Sequence, residues 1–337
     1  MHPPCEVMIR DFLPNIRGIV AHELSEEGES QRRIAQLLGL TQARVSHYLS
    51  EEKETYYARM LASFGTSAVE LEGFGKALGK DVRRSQVDGI FTLYSIWKNL
   101  LFQGNVCSIH QKRSAIPIDC SVCMSLHKAN EAQRNEKTMD EDYSLLQNLS
   151  DAIAIVERSV MFPNIMPEVS VNIAYCRRNA TAKSDVAAIP GRINKFHGRA
   201  KAFVLPEFGS SNHMSNVLLM FHKKSEGIRS VMNLKNDRGL ERDLSRLNVP
   251  KYLTDSLDKR SKKPYIVNSD QFILARLSRI ELHKNSKGVV RIPFAVVDRG
   301  SGGFEPITYV FGSTATELAE LGVRISELYS KSKVVKD

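Results

Sequence analysis

Three segments in the C-terminal half carry residue types that suit a phosphorylated ligand. They contain PEVSVNIAY with DVAAIPGRI, then PEFGSSNH with VMN, and finally VDRGSGGFEP. Gly209, Ser210 and Ser211 lead into a helix predicted over residues 212–223, and backbone N–H groups at such a helix start bind anions. Arg192 adds a guanidinium that can hold a phosphate through two hydrogen bonds.

Acidic and glycine-rich positions extend this predicted site. Asp298 and Glu305 can meet a cationic heterocycle or hold Mg²⁺ beside a phosphate, and glycines after Asp298 permit close approach of the backbone to a ligand. Simpler interpretations exist: a hairpin turn for the glycines, a capping or surface role for His213, and a surface charge for Arg192. The predicted ligand-binding residues are Asn172, Arg192, Glu207, Phe208, Gly209, Ser210, Ser211, His213, Met232, Asn233, Asp298, Gly300, Gly302 and Gly303.

A cysteine and histidine cluster precedes these segments. Cys107-Ser-Ile-His110 is followed by Cys120-Ser-Val-Cys123. Two close pairs, each expected on a tight turn, can aim three thiolates and one imidazole at a structural, tetrahedral Zn²⁺. His127 is a rival fourth ligand, an iron–sulfur cluster is an alternative, and unrelated reduced thiols are the simplest explanation. The predicted metal ligands are Cys107, His110, Cys120 and Cys123.

Residues 31–50, QRRIAQLLGLTQARVSHYLS, have the internal spacing of a helix-turn-helix. Ile34, Ala35 and Leu38 are expected to form one apolar face, and Val45 to pack the second helix on the first. Gly39 supplies the backbone freedom that the turn requires. A two-helix corner without DNA contacts is the alternative. The side chains predicted to cap the second helix or reach base edges in a major groove are Thr41, Gln42, Ala43, Arg44, Ser46 and His47.

Length and charge agree with a DNA-binding protein of several domains. The chain has 337 residues, a formal net charge of +9 and a pI of about 9.2, which suits a polyanionic partner. No apolar run reaches the roughly 18 residues that span a bilayer. The first residues also lack the pattern of a signal peptide. We therefore expect a cytoplasmic protein whose five cysteines form no structural disulfides.

The elements that must position these residues change in character near Phe162. Before it, apolar periodicity predicts helices over 8–24, 67–78, 87–102 and 143–160, with Pro14 at a start or kink. The helix over 87–102 is apolar enough to be buried or to form a subunit interface. The charged residues 51–59 are expected to lead out of the motif. After Phe162, β-rich and helical runs alternate. Strands are predicted over 272–282 and 288–297, and a solvated loop over 255–269.

Together, PEVSVNIAY, DVAAIPGRI, PEFGSSNH, MN and D-R-G-x-G-G-x-EP resemble the ThiN-type thiamine-phosphate synthase domain, over about residues 162–328. The resemblance implies three layers, α/β/α, around a mixed sheet. It also implies a site for thiamine phosphate or for its thiazole phosphate and pyrimidine pyrophosphate precursors. An Arg and a His that matter for synthesis in the enzymes fall on Arg192 and His213. One departure is Lys235, where the enzymes usually have Arg, because Lys cannot make the same bidentate contact.

The N-terminal half is similar to archaeal regulators, often called ThiR, in which a helix-turn-helix is fused to a ThiN-type domain. The similarity lies in PPCEVMIRDFLPNIRGIVAHEL and in the Cys/His pairs. It implies a homodimeric transcriptional repressor of thiamine biosynthesis or transport genes, which binds operator DNA and senses thiamine phosphate or diphosphate. One alternative is a thiamine-phosphate synthase that uses Arg192, His213 and Mg²⁺. Another is a regulator that senses a different phosphorylated metabolite.

The predicted fold class is therefore multidomain. An all-α helix-turn-helix region with a Cys/His metal knuckle is followed by a three-layer α/β/α domain with a mixed sheet. The predicted bounds are 1–65 for the DNA-binding domain, 66–161 for a helical linker and dimerisation region, and 162–330 for the ligand-binding domain.

Overall fold

The computed structural model describes residues 4–114, 116–117, 120, 136–254, 269–286, 288–300 and 305–334. Within these residues the chain divides into two compact units. The first unit comprises residues 1–139 with 203–205, and the second comprises residues 140–202 with 206–337, as far as each is described. The predicted domain bounds of 1–65, 66–161 and 162–330 stay predictions.

Helices build most of the first unit. They are α1 Cys5–Val7, α2 Leu13–Glu26, α3 Gln31–Leu38, α4 Gln42–Ser50, α5 Lys53–Phe64, α6 Ala68–Arg84, α7 Gln86–Phe102 and α8 Asn105–Ser114, with a π-helical turn Met8–Phe12 before α2. Pro14 lies in the first turn of α2, where its missing N–H costs no helix hydrogen bond. The helices predicted over 67–78 and 87–102 are confirmed as α6 and α7, capped by Ser67 and Ser85.

The expectation that residues 51–59 only lead out of the motif is wrong, because α5 begins at Lys53. Tyr56, Met60 and Phe64 recur every four residues and are buried, so the charged neighbours conceal an apolar helix face. Gly18 of α2 permits the close approach of α5. A Cβ atom added to Gly18 would lie 2.6 Å from the Tyr56 ring.

α7 has one buried side and one exposed apolar side. Ile96 is fully buried and Trp97 nearly so. Val87, Ile90 and Tyr94, which follow the i, i+3, i+7 spacing of one helix face, are 63%, 56% and 55% exposed, and we call them the α7 stripe. In the described part of the chain, neither α7 nor any other helix is long and apolar enough to cross a membrane.

A mixed sheet forms the centre of the second unit. Its strands are β1 Ile173–Cys176, β2 Val186–Ala188, β5 Glu207–Phe208, β6 Ser230–Lys235, β7 Lys251–Leu253, β8 Phe294–Asp298 and β9 Ile307–Gly312, and a separate hairpin consists of β3 Ile193–Phe196 and β4 Arg199–Ala202. The order is β5-β2-β1-β6-β9-β8-β7 among the described residues. β7 and β8 are parallel, and the other neighbours are antiparallel.

Helices cover both faces of this sheet. They are α9 Glu136–Arg158, α10 Asn212–His222, α11 Arg238–Arg246, α12 Ser269–Leu277 and α13 Ala315–Val334. Neighbouring residues of one strand point to opposite faces. Ile173 accordingly belongs to the apolar cluster with α9, α11 and α13, and Ala174 to the cluster with α10 and α12. We call these the α13 face and the α10 face. A helical N-terminal region followed by an α/β domain with a mixed sheet is thus confirmed.

The strand predicted over residues 272–282 is wrong, because α12 occupies residues 269–277. Ile273, Leu274 and Leu277 lie on one side of a helix, since they follow the i, i+1, i+4 spacing. Leu277 is fully buried, and the other two pack against the cluster of the α10 face. The strand predicted over 288–297 is found only from Phe294 to Asp298. Residues 255–268 of the predicted loop lie outside the described residues.

Candidate functional site

One end of the sheet gathers most of the predicted ligand residues. Lys235 at the end of β6 and Asp298 at the end of β8 both pair with Ile307, where β9 begins. β1 begins at this end, directly after Asn172, and β2 ends here because it runs antiparallel to β1. Antiparallel pairing therefore brings together segments that are distant in sequence.

The buried side chain of Asn172 fastens β1 to the turn after β2. Its Oδ1 accepts a hydrogen bond from Ile189 N at 3.0 Å, and its Nδ2 donates to Ile189 O at 2.9 Å. Asn172 N donates to Asn233 Oδ1 at 2.7 Å, and Asn233 Nδ2 donates to Ser170 O at 2.9 Å. Because both side-chain amides bond backbone groups, Asn172 and Asn233 shape this end of the sheet.

Two non-glycine residues beside this network hold left-handed backbone conformations. The φ angles of Ser170 and Arg192 are 67° and 62°, a region that costs about 1–2 kcal/mol for residues with a Cβ atom. Ser170 Oγ donates to Asn194 Oδ1 at 3.0 Å, and Asn194 Nδ2 donates to Gly191 O at 2.7 Å. Conformations of this kind concentrate at ligand sites, where the surroundings hold them in place.

Arg192 and Glu305 both contact the segment before β1. The guanidinium Nη1 of Arg192 donates to Val169 O. The Glu305 carboxylate accepts hydrogen bonds from Glu168 N at 2.9 Å and Val169 N at 3.2 Å. A guanidinium carries several N–H donors, so a hydrogen bond to a carbonyl is compatible with phosphate binding. The Glu305 carboxylate instead fixes the backbone before β1 through these two hydrogen bonds.

The start of α10 is anchored to β2. Gly209 adopts φ 73°, which favours glycine. Ser210 Oγ donates to Ala188 O at 2.8 Å. Ser211 caps the helix, since its Oγ accepts a hydrogen bond from Met214 N at 3.4 Å. The two hydroxyls thus fix the helix start, where the helix dipole is positive.

His213, in the first turn of α10, extends to a buried tyrosine of the sheet. Its Nε2 lies 2.8 Å from Tyr309 Oη. Tyr309 of β9 pairs in register with Asn233 of β6, and strand alternation places both on the α10 face. His213 is therefore linked to the same strand pair as the asparagine network. Nothing in the sequence pattern had singled out Tyr309.

Asp298 forms a buried ion pair with a residue that sequence reasoning missed. Its Oδ1 lies 2.7 Å from Arg276 Nη2 of α12, and the two side chains are 5% and 3% exposed. Gly300 N also donates to Asp298 Oδ1 at 3.0 Å, and Arg276 Nη2 donates to Thr254 Oγ1 at 3.0 Å. Asp298 and Glu305 are thus both engaged by protein donors, which does not fit the role of a direct Mg²⁺ ligand.

Lys235, at the end of β6, contacts a tyrosine and an aspartate. Its Nζ donates to Tyr329 Oη at 2.8 Å, and Tyr329 Oη donates to Asp237 Oδ2 at 2.6 Å. The distance from Lys235 Nζ to Asp237 Oδ2 is 3.5 Å. The lysine charge is therefore partly balanced within the protein, which weakens any role as a phosphate ligand.

We expect Asp237 to make the second unit less stable in acid. Burial acts to raise the pKa of Asp237, but hydrogen bonds from Tyr329 and Leu240 N and the charge of Lys235 lower it below the ordinary 3.8. Because the folded pKa lies below the unfolded one, Asp237 contributes stability that is lost as the pH falls through 3.8 and below. Urea unfolding should show that the free energy of unfolding falls less between about pH 5 and about pH 3 in Asp237→Asn than in the wild type. Equal slopes in both proteins would contradict this.

Two predicted ligand residues lie on the opposite side of the sheet. Met232 is fully buried in the cluster of the α13 face, and Phe208 packs against the same cluster. They support the sheet and do not share a face with His213. Glu207, by contrast, pairs with β2 at the ligand end. Gly302 and Gly303 lie outside the described residues.

In the first unit, α3 and α4 are consecutive helices joined by a short turn. Ser30 caps α3, Gly39 ends it with φ 63°, and Leu40 N donates to Ala35 O at 2.9 Å. Thr41 caps α4, with its Oγ1 accepting from the amide of residue 44 at 3.2 Å. The Gly39 turn and the Thr41 cap are those that the sequence predicts, and the Ser30 cap is an addition from the structure.

The outer face of α4 has the expected exposure. All six predicted DNA-contacting residues are exposed, namely Thr41, Gln42, Ala43, Arg44, Ser46 and His47. Val45 and Tyr48 face inward and are buried. On α3, Leu37 is buried beside Ile34, whereas the predicted Leu38 is only half-buried. Leu38 packs against the same apolar cluster as Ile34, as the predicted face requires.

The first Cys/His pair lies in α8 and not on the predicted tight turn. Cys107 and His110 follow the i, i+3 spacing and so share one side of the helix. Cys120 is half-buried, and Cys123 and His127 lie outside the described residues. Among the residues that are described, no group of three or more His, Cys, Asp or Glu is placed to hold a metal ion. The four-ligand zinc site stays a prediction.

Comparison with known proteins concerns the second unit. Residues 148–323 match the family model described as thiamine-phosphate synthase ThiN. The chain is 31% identical over 188 residues to thiamine-phosphate synthase ThiN of Methanothermobacter thermautotrophicus, which covers 56% of this chain and 95% of that protein. It is 30% identical over 189 residues to the bifunctional thiamine biosynthesis protein ThiDN of Methanocaldococcus jannaschii, covering 55% of this chain and 41% of that protein.

Two crystal structures are also similar to this half of the chain. The C-terminal domain of protein MJ0236 is 28% identical with a TM-score of 0.43, over 56% of this chain and 96% of that one. The C-terminal domain of a phosphomethylpyrimidine kinase is 24% identical with a TM-score of 0.45, over 56% of this chain and all of that one.

Proposed function

Because this chain belongs to the thiamine-phosphate synthase ThiN family, we propose that its second unit binds thiamine phosphate, its diphosphate, or the two phosphorylated halves from which thiamine phosphate is made. The observation that carries the proposal is the hydrogen-bonded connection at one end of the sheet. His213 contacts Tyr309, which pairs with Asn233, and the Asn233 and Asn172 amides lead to the turn that bears Arg192.

Different residues at this end of the sheet bind different groups of a phosphorylated ligand. The N–H groups at the start of α10 and the His213 imidazole bind a phosphate, because a helix N-terminus and a ring N–H both favour anions. The Arg192 guanidinium binds a second anionic group through paired hydrogen bonds. Asn172 and Asn233 keep the Arg192 turn in its left-handed conformation.

Synthesis of thiamine phosphate is the first candidate activity. The bond that joins the two halves forms as the bond to pyrophosphate breaks, so negative charge grows on the departing pyrophosphate. Arg192 would stabilise that charge. Since Asp298 and Glu305 are engaged by protein donors, we propose that Mg²⁺ enters with the pyrophosphate of the substrate.

Calorimetry and turnover test the ligand and the reaction separately. Titrations of the full chain compare thiamine phosphate, thiamine diphosphate and thiazole phosphate with thiamine. Thiamine differs from thiamine phosphate only by the missing phosphate. We expect the phosphorylated ligands to bind tightly and thiamine weakly, and equal affinities would contradict the proposal. Pyrophosphate released only when both precursors are present establishes the synthase. Binding without turnover favours a sensor.

A second function is favoured by the helix-turn-helix of the first unit. We propose that α4 binds double-stranded operator DNA and that the second unit senses the ligand, as in a repressor of thiamine biosynthesis or transport genes. The support is the Gly39 turn, the Thr41 cap and the exposed outer face of α4. A ligand regulates such a protein only if it binds the DNA-competent and incompetent states unequally.

We propose that this regulator acts as a homodimer. Operators read by helix-turn-helix dimers contain two half-sites, so two copies bind together. The α7 stripe offers an exposed apolar helix face for such an association, with Val87, Ile90 and Tyr94 each more than half exposed.

Arg44→Ala is expected to weaken operator binding by about 1–3 kcal/mol, or about 5–150-fold, and to affect unrelated DNA much less. Arg44 is exposed on α4, and its guanidinium lies 4.9 Å from the Tyr48 ring centroid. The assay is an electrophoretic or anisotropy titration with duplexes that the protein selects from a random pool. Arg59→Ala is the matched control, because Arg59 lies over Tyr56 at 5.6 Å but outside α4. Equal loss on all DNA would instead identify Arg44 as a phosphate contact.

A further inference from the structure

Tyr309 is a buried polar residue that lies beside the proposed ligand residue His213. Its side chain is 2% exposed, and its ring belongs to the apolar cluster of the α10 face. The hydroxyl of a buried tyrosine normally finds a hydrogen-bond partner. Here that partner is His213 Nε2, at 2.8 Å.

The strand that carries Tyr309 makes it a rigid support. β9 lies between β6 and β8, and Tyr309 pairs with Asn233 on one side and Val296 on the other. A side chain enclosed on a central strand has little freedom to change its orientation. His213 is on the first turn of a helix and is only half-buried. The contact therefore holds the half-buried His213 ring against the enclosed Tyr309 ring.

We propose that Tyr309 is a positioning residue that acts through His213 and fixes both the orientation and the tautomer of the imidazole. The two ring nitrogens of a histidine are not equivalent, and the hydrogen bond made by one decides the state of the other. The value of this arrangement to ligand binding rests on the proposed function of the second unit. The contact itself exists without ligand.

Nuclear magnetic resonance of the His213 ring nitrogens tests the contact directly in the ligand-free full chain. The chain has nine histidines, so His213→Asn identifies the relevant signals by their disappearance. In Tyr309→Phe, which removes one hydroxyl, we expect the His213 nitrogen shifts to move toward the average of two exchanging tautomers. Tyr175→Phe is the matched control, because Tyr175 is buried on the α13 face of the same sheet.

Calorimetry with thiamine phosphate supplies the second readout. Tyr309→Phe should bind about tenfold more weakly than the wild type, and Tyr175→Phe should bind equally well. Unchanged His213 shifts in Tyr309→Phe would overturn the proposal, and so would altered shifts with unchanged affinity. If the wild type binds none of the phosphorylated ligands, the proposed function fails. The ligand-free spectra still decide whether Tyr309 positions His213.

Discussion

Replacing Arg192 with glutamine should weaken the binding of thiamine phosphate by about 30-fold, which corresponds to about 2 kcal/mol. Hydrogen bonds from a guanidinium to a phosphate are charge-assisted and stronger than those between neutral groups. Glutamine keeps a polar side chain and a Cβ atom, so the left-handed backbone at φ 62° is equally strained in both proteins. The change also removes the hydrogen bond from Arg192 Nη1 to Val169 O, so the loss of affinity reports the contact with the ligand where the fold is unchanged.

Two further variants make this result specific. Arg192→Lys keeps the charge but loses the planar fork, so we expect a loss of affinity smaller than that of glutamine but still clear. Arg199→Gln removes an exposed arginine of β4 in the same unit and should bind like the wild type. Calorimetry gives the affinities, and circular dichroism checks the fold. An unchanged affinity in Arg192→Gln would remove Arg192 from the ligand site.

The largest loss of stability is expected from Asp298→Ala, at about 3–5 kcal/mol. This change leaves the Arg276 guanidinium, which is 3% exposed, without its carboxylate partner. Replacing both residues, as in Arg276→Met with Asp298→Ala, should cost less than the sum of the single changes because no buried charge remains. Arg299→Ala is the control. Its side chain is 63% exposed in its pair with Glu241, so we expect a loss below about 1 kcal/mol.

The choice of probe matters for this measurement. The single tryptophan, Trp97, lies in α7 of the first unit, so its fluorescence does not report on the sheet. Hydrogen exchange of the β8 and β9 amides follows the second unit directly. Faster exchange in Asp298→Ala than in the double variant is the expected result. Exchange that is unchanged in Asp298→Ala would show that the ion pair does not stabilise the unit.

Local signals made the turn between α3 and α4 predictable from sequence. Gly39 and Thr41 act within a few residues of their own position, through a left-handed turn and an N-cap. Arg192 and His213 were also identified, because the motifs that contain them are short. The charged surroundings of Tyr56 and Met60, by contrast, hid the apolar face of α5.

The contacts that organise the candidate ligand site could not be predicted in the same way. His213 and Tyr309 are 96 residues apart, and Arg276, the partner of Asp298, lies on a helix that was expected to be a strand. The packing of α10 and α12 against the sheet brings these pairs together. Similarly, alternation along β6 puts Asn233 on the α10 face and Met232 on the other, and a list of motif residues cannot separate the two.

The sheet also has a consequence for the behaviour of the protein at high concentration. Both edge strands in the described part of the sheet are short, β5 with two residues and β7 with three. Pro206 precedes β5, and Lys251 begins β7, and both residue types hinder the addition of a strand from another molecule. Copies of the second unit should therefore resist amyloid-like joining of their edges. Reversible self-association, if it is seen, should respond to polar substitutions in the α7 stripe.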